Sequence, residues 1–353
     1  MNVQEMAAGA LGLPAALYGA GIAVRNRLFD WNILPSRRFD VPVICVGNIT
    51  VGGTGKTPHV EALVATLGKE YRVACLSRGY KRKTRGFLLV EKHDDPARVG
   101  DEPAQIKNKF PGITVAVDGH RVRGIEHLLA LSPRPEIIIM DDGFQHRHVK
   151  PDITIVLMDY RRPVYTDHLL PRGRLREPAS ALRRADFIIV TKCPPGISPA
   201  EQATITRRLA PGARQRVLFT TMSYGSITPL DGTSPCHLSP DTPILCLTGI
   251  AQPAPYQRHV ETLAGRVIPL PFADHHAFSG KDIRQIIKKY REIPSNCAYI
   301  FTTEKDATRL SSLSLPPEIA GKIFYIPIEP RFITPADVFI QTITEHARQN
   351  KRG

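Results

Sequence analysis

The eight residues Thr50-Val51-Gly52-Gly53-Thr54-Gly55-Lys56-Thr57 bring together what a triphosphate needs. The glycines let backbone N–H groups close around phosphate oxygens, Lys56 offers a compact charge to the β- and γ-phosphates, and the Thr57 hydroxyl is a hard ligand for Mg²⁺. The strict phosphate-loop pattern has glycine where Thr50 stands. The Gly-Gly-x-Gly-Lys-Thr core is closer to a variant loop that usually carries lysine at the position of Val51, a lysine absent here. Such a motif has meaning only between a strand and a helix. Both are expected, because an apolar run at 41–47 precedes it and Val60, Leu63, Val64 and Leu67 follow at i, i+3, i+4 and i+7. The chemistry implied is that of a P-loop kinase, which binds ATP with Mg²⁺ and passes the γ-phosphoryl group to a hydroxyl.

Other side chains suit the same chemistry. The apolar run 136–140 ends in Asp141-Asp142, the layout of strand-end carboxylates that hold Mg²⁺ beside a phosphate loop. Residues 77–85, Ser-Arg-Gly-Tyr-Lys-Arg-Lys-Thr-Arg, place five basic residues around an aromatic at another strand end. Guanidinium and ammonium groups there suit a phosphorylated substrate, and a solvated basic loop is the plainer alternative. His146, His148, His275 and His276 lack a third ligand at helical or hairpin spacing, so they are read as polar edge residues rather than a zinc site. The six cysteines, Cys45, Cys75, Cys193, Cys236, Cys246 and Cys297, form no C-x-x-C pair and are expected to be reduced thiols.

These side chains must be positioned by an α/β scaffold. Strands are expected at 41–47, 72–77, 113–118, 136–141, 153–159 and 187–191, with helices between several of them, which predicts a P-loop NTPase-like parallel sheet with helices on both faces. The stretch 223–242 is rich in Ser, Thr, Pro and Gly and is read as a linker. A smaller α/β lobe then follows, with strands at 244–249, 267–271, 298–303 and 324–328 and a helix whose Ile283, Ile286, Ile287 and Tyr290 share one face. The expected division is an N-terminal helix and lead-in at 1–40, the nucleotide-binding lobe at 41–222, the linker at 223–242 and the smaller lobe at 243–353, with chemistry in the cleft.

The N-terminus bears on location. Met6 to Val24 runs for 19 residues without a charge, yet 11 of these are Gly or Ala and Pro14 interrupts them. That is too weakly apolar for a span, and no Lys or Arg precedes it as a secretory signal requires. A helix at the membrane surface followed by Arg25, Arg27, Arg37 and Arg38 is expected, with a buried Ala-rich helix as the alternative. Lys and Arg number 47 against 33 Asp and Glu, a formal charge of +14 that favours anionic partners.

Taken in order, Gly52-Gly53-Thr54-Gly55-Lys56-Thr57, Ser77-Arg78-Gly79-Tyr80, Gly100-Asp101-Glu102-Pro103, Asp141-Asp142-Gly143-Phe144-Gln145-His146, Leu170-Pro171-x-Gly173-x-Leu175-Arg176-Glu177-Pro178, Asp274-His275 and Thr303-Glu304-Lys305-Asp306 resemble the tetraacyldisaccharide 4'-kinases of lipid A biosynthesis. That family phosphorylates the 4'-hydroxyl of a tetraacylated glucosamine disaccharide 1-phosphate, using ATP and Mg²⁺, at the cytoplasmic face of the inner membrane. The resemblance implies that residues 50–57 bind the nucleotide, with Lys56 and Thr57 on the triphosphate and Mg²⁺. It also implies that Asp141, Asp142 and Glu177 set charge around the metal, and that Asp101 is the base, paired with His275. Arg78, Tyr80, Gln145, His146 and Arg176 are the further candidates for substrate or phosphate contact. The expected partners are the lipid A disaccharide precursor and an anionic inner-membrane surface to which the protein binds peripherally, with neither nucleic acid nor an obligate protein partner. The extra His276 leaves open which imidazole meets Asp101.

Two other classes compete. A P-loop GTPase or metal-insertion chaperone would need an Asn/Thr-Lys-x-Asp guanine reader. Thr191-Lys192-Cys193-Pro194 lacks the aspartate, and Lys305 and Asp306 are adjacent. A nucleic-acid module would use the positive charge but leave the phosphate loop idle.

Overall fold

The computed structural model describes residues 11–232, 236–294, 298–335 and 337–349. Residues 1–10, Cys297 and the far C-terminus, parts of the expectations above, lie outside the described residues.

Nine strands form the larger sheet: β1 Val43–Gly47, β2 Val73–Ser77, β3 Leu88–Leu89, β4 Thr114–Val117, β5 Ile137–Asp141, β6 Ile153–Asp159, β7 Phe187–Thr191, β8 Arg216–Tyr224 and β14 Ile328–Phe332, in the order β14-β8-β7-β6-β1-β5-β2-β4-β3. The run from β8 to β4 is parallel, and β14 and β3 close its two edges antiparallel. Every residue of β1 is buried, as a central strand covered on both faces requires. Val43 and Cys45 enter one core while Ile44 and Val46 enter the other. The phosphate-loop helix Lys56–Leu67 covers the second face through Val60, Leu63, Val64 and Leu67, and Ile125 and Leu128 of another helix cover the first. The expected P-loop-like architecture is therefore present.

The order of the strands decides where chemistry occurs. β1 lies between β6 and β5, with Val46 opposite Asp141. The loop leaving β1 and the carboxylates ending β5 therefore emerge side by side at the carboxyl edge of the sheet, where open α/β folds bind their ligands.

Five strands form the smaller sheet: β9 Thr228–Pro229, β10 Pro243–Thr248, β11 Arg266–Pro271, β12 Tyr299–Thr303 and β13 Ile323–Ile326, ordered β11-β10-β12-β13-β9. The helix Gly280–Arg291 begins at a Ser279–Asp282 capping box and buries Ile283 and Ile286. Two expectations about boundaries need revision. Residues 324–328 are not one strand, because the chain passes Pro327 and changes sheet: β13 belongs to the small sheet and β14 pairs with β8 of the large one. Phe332 packs at the second face of the large sheet, and Phe339 and Ile343 of the C-terminal helix Asp337–Gln349 are buried within that core. The stretch 223–242 is likewise not pure linker, since its first two residues end β8 and Thr228–Pro229 pairs along β13.

The N-terminal helix Gly12–Asp30 has two unlike faces. Ala15 and Phe29 are buried, and Tyr18, Arg25 and Asn26 hydrogen-bond to Arg176 O, Gln145 O and Glu177. Leu13, Leu17 and Val24, spaced to share a different face, are 71%, 67% and 59% exposed, and Trp31 just beyond the helix is 65% exposed. One side packs on the body, as the buried-helix alternative expects, and the other is an open apolar stripe. Among the described residues no helix is long and apolar enough to cross a membrane.

Candidate active site

The loop after β1 is a phosphate cradle held from several sides. Gly55 has φ +82°, a left-handed conformation that favours glycine at the start of the helix. Thr50 bridges to Leu175, and Val51 N–H donates to Arg174 O at 2.8 Å, so residues 174–176 run beside the loop as a brace. Asn48 donates to Thr54 Oγ1 at 2.9 Å, and Thr191 Oγ1 donates to Thr54 O at 2.8 Å. Lys192, which follows β7, donates to Gly53 O and sits 2.9 Å from Asp159. The Thr191-Lys192 pair thus supports the loop itself. Lys56 opens the helix with its ammonium 3.3 Å from Asp142 Oδ1.

The two carboxylates after β5 have different environments. Asp142 contacts Lys56 and Arg176, each at 3.3 Å, and these cations hold its pKa below the ordinary value against the upward pull of burial. Asp141 is 4% exposed, accepts from Ser77 Oγ at 3.2 Å through one oxygen, and has no hydrogen-bond partner on the other. Burial and then the charge of Asp142 push its pKa up to about 6. A buried carboxylate oxygen left without a donor, next to a second carboxylate, fits a hard divalent cation such as Mg²⁺. Among the described residues no three His, Cys, Asp or Glu side chains converge as a closed metal set. Mg²⁺ beside a triphosphate does not need one, because phosphate oxygens and water complete its shell.

Glu177 is placed differently from its neighbours in the sequence reading. Its side chain is fully buried, 2.6 Å from Arg184 Nη2 and 3.0 Å from Asn26 Nδ2. The guanidinium of Arg184 lies over the Phe144 ring, 4.2 Å from its centroid. Both contacts fall on Oε2, which ties this carboxylate to an ion pair and to the N-terminal helix, while Oε1 is buried without a hydrogen-bond partner.

Asp101 and His275 come from different lobes and meet. His275 Nδ1 lies 2.8 Å from Asp101 Oδ2. Asp101 opens the helix Asp101–Lys109, next to Gly100, where a Cβ would approach Gly79 Cα to 3.0 Å, so the Ser77-Arg78-Gly79-Tyr80 turn is drawn against it. The Tyr80 ring lies 6.1 Å from that of His275. Burial raises the Asp101 pKa, but the hydrogen bonds from His275 and Arg309 and nearby cationic charge outweigh it and hold the carboxyl well below its ordinary range. His276 instead lies 3.2 Å from Asp282.

The remaining candidates surround the carboxylates. Gln145 donates to Asn48 O at 2.8 Å and receives Arg25 on its carbonyl. His146 is pushed down to about 4 by burial and by the charges of Arg121 and Arg78. Arg78 and Tyr80 are exposed.

A family model described as tetraacyldisaccharide-1-P 4'-kinase matches residues 8–348. The chain belongs to that family. The tetraacyldisaccharide 4'-kinase of Phocaeicola vulgatus is 45% identical over 352 aligned residues, covering 96% of this chain and 94% of that protein. That of Parabacteroides distasonis is 47% identical, covering 90% of this chain and 88% of its own. A crystal structure of LpxK from Aquifex aeolicus in complex with ATP superposes with a TM-score of 0.76 at 27% identity, covering 96% of this chain and 99% of that one.

In this tetraacyldisaccharide 4'-kinase family member, several cations that tie distant segments together escaped sequence reasoning. Arg121 is buried and donates to the Asp141 carbonyl at 3.2 Å. Lys109 joins Glu61 of the phosphate-loop helix, at 2.7 Å, to Glu304 of the smaller lobe, at 2.9 Å. Arg309 bonds Asp101 directly. Each is a cation whose partner lies far away in sequence, and only Lys305-Asp306, in the motif leading to Arg309, offered a signal.

Proposed function

We propose that this protein is an ATP-dependent kinase that phosphorylates the 4'-hydroxyl of a tetraacyldisaccharide 1-phosphate to give the 1,4'-bisphosphate. The observation that carries the reading is an aspartate–histidine pair contributed by two lobes, joined to the carboxylates beside the strand-loop-helix phosphate cradle through the Ser77–Gly79 turn, which bonds Asp141 and packs on Gly100. Residues 50–57 hold the triphosphate, with Lys56 countering charge on the β- and γ-phosphates. Asp141, Asp142 and Thr57 would hold Mg²⁺, which when bound neutralises charge on the transferring group. Lys56 and Arg176 keep Asp142 ionised for that task.

The acceptor is an alcohol, so its proton must leave as its oxygen bonds to the γ-phosphorus and the bond to the β–γ bridging oxygen breaks, releasing ADP. The Asp101–His275 pair takes that proton: Asp101 accepts it, and His275 orients and shares it through Nδ1. Arg78, Tyr80, Gln145, His146 and Arg176 form the surroundings in which the substrate and its phosphate are contacted.

The apolar stripe of Leu13, Leu17, Val24 and Trp31, with Arg27, Arg37 and Arg38 nearby, brings the site to the cytoplasmic face of an anionic inner membrane, where a four-chain substrate resides. The test is direct. Purified full-length protein with labelled ATP, Mg²⁺ and the disaccharide 1-phosphate in detergent micelles should move label to the lipid, and absence of transfer under every detergent and metal condition would overturn the assignment.

A further inference from the structure

The Thr303-Glu304-Lys305-Asp306 motif has no part in the mechanism above, yet it leads one turn along the helix Glu304–Leu310 to the side chain that grips Asp101. Asp306 is fully buried. Its Oδ2 accepts from Gly249 N at 2.8 Å and from Thr303 Oγ1 at 2.7 Å, and its Oδ1 accepts from Arg309 Nη1 at 2.8 Å. Arg309 Nη1 also donates to Gly249 O at 3.1 Å. One edge of the guanidinium is therefore fixed by the smaller lobe, and the side chain is 4% exposed.

The other edge reaches across. Nε donates to Asp101 Oδ1 at 3.2 Å and Nη2 to Asp101 Oδ2 at 2.7 Å. A planar fork on both oxygens sets the rotation of the carboxylate as well as its position. Oδ2 is thereby presented to His275 Nδ1, which also lies 3.4 Å from Arg309 Nη2. Lys305, 3.0 Å from Glu102 and 3.8 Å from Asp101, is a point charge that cannot impose that orientation.

We propose that Arg309 is a positioning residue for phosphoryl transfer: anchored by Asp306 and Gly249, it holds the Asp101 carboxylate across the two lobes in the orientation that engages His275. The proposal rests on the assignment of Asp101 to proton acceptance. A purely structural Arg309 would only neutralise Asp306, a role that lysine also fills.

The experiment uses full-length protein, ATP and the acylated disaccharide, with Arg309→Lys, Arg309→Ala, Asp101→Asn and the Arg309→Ala/Asp101→Asn double variant. Arg309→Lys should lose about 10- to 100-fold in kcat with KM for ATP within about twofold of wild type, because a positioning loss appears in turnover and leaves nucleotide binding intact. Arg309→Ala should lose more, and added methylguanidinium should restore its kcat by at least about fivefold while leaving the double variant inactive. Wild-type kcat in Arg309→Lys overturns the proposal, as does an Arg309→Ala protein with a wild-type melting curve and no response to methylguanidinium. If Arg309→Ala does not fold, Arg309→Lys alone decides. Wild-type activity in Asp101→Asn would instead remove the assignment of Asp101, an outcome separate from failure at Arg309.

Discussion

Asp101 and His275 stand 174 residues apart in sequence and 2.8 Å apart in space. Asp101 is held at a helix start in the larger lobe, and His275 sits in a turn after β11 with φ +59°, its N–H donating to Gly249 O at 3.2 Å. If the two act as a unit, Asp101→Ala and His275→Ala should each lower kcat by about 10²- to 10⁴-fold with ATP binding kept. The double variant should be little worse than either single. His276→Ala should retain kcat, because its partner is Asp282. Additive losses in the kinetic cycle would show that the two residues work independently.

Lys56 and Thr57 should fail in different ways. Lys56→Ala removes the ammonium that balances Asp142 and the β- and γ-phosphates, so turnover should nearly vanish while the fold persists. Thr57→Ala should act through the metal, and raising Mg²⁺ should recover part of its activity. A Thr57→Ala defect that is indifferent to Mg²⁺ would remove Thr57 from the metal site.

For Glu177 the geometry favours a structural outcome. Breaking a buried ion pair by removing one partner costs about 3–5 kcal/mol, and Glu177→Ala leaves Arg184 and Asn26 without their acceptor. The expected result is a lower melting temperature, with the Mg²⁺ dependence of kcat unchanged. A several-fold rise in the Mg²⁺ requirement at unaltered stability would instead place Glu177 in the metal site.

Buried His59 makes stability depend on pH. Its Nδ1 is 2.8 Å from Gly55 O, its Nε2 is 3.2 Å from Thr220 Oγ1, and burial pushes its pKa down from 6.5 to about 4. Below about pH 6.5 the unfolded chain takes up the proton before the folded one. Its stabilising contribution is therefore complete above that pH and is lost as pH falls toward 4, by about 1.4 kcal/mol per unit. Glu61 acts in the opposite sense, since burial and then Glu304 raise it to about 7 and acidification relieves the penalty. Comparing wild type with His59→Asn cancels that shared term. The variant should lose about 2 kcal/mol less between pH 7 and pH 5 in denaturant titrations, and equal losses would show that His59 is not the source.

The N-terminal stripe should carry membrane binding. Replacing Leu13, Leu17, Val24 and Trp31 together by serine removes exposed apolar area without touching Tyr18, Arg25 or Asn26, which bind the body. Co-sedimentation with anionic phospholipid vesicles should fall, and wild-type binding should be only partly weakened by high salt, which screens the arginines alone. Unchanged sedimentation of the serine variant would exclude the stripe as the contact.

The phosphate loop and the strands around it were legible in the sequence because their signals are local. Two strands, β6 and β7, fall where alternation places them, and the loop's strand-helix context can be read from residues 41–67 alone. Family motifs in order added Asp101 and His275 as candidates, but no local pattern says that a helix start and a turn in another lobe will touch. Tertiary structure decided that contact, and with it the grip of Arg309 on Asp101 and of Arg184 on Glu177. It also decided that β14 crosses to the larger sheet beyond Pro327, since a single apolar run reads the same whichever edge it joins. Charge partners and edge pairings depend on where the folded chain brings distant groups together, whereas periodicity and turn chemistry depend only on near neighbours.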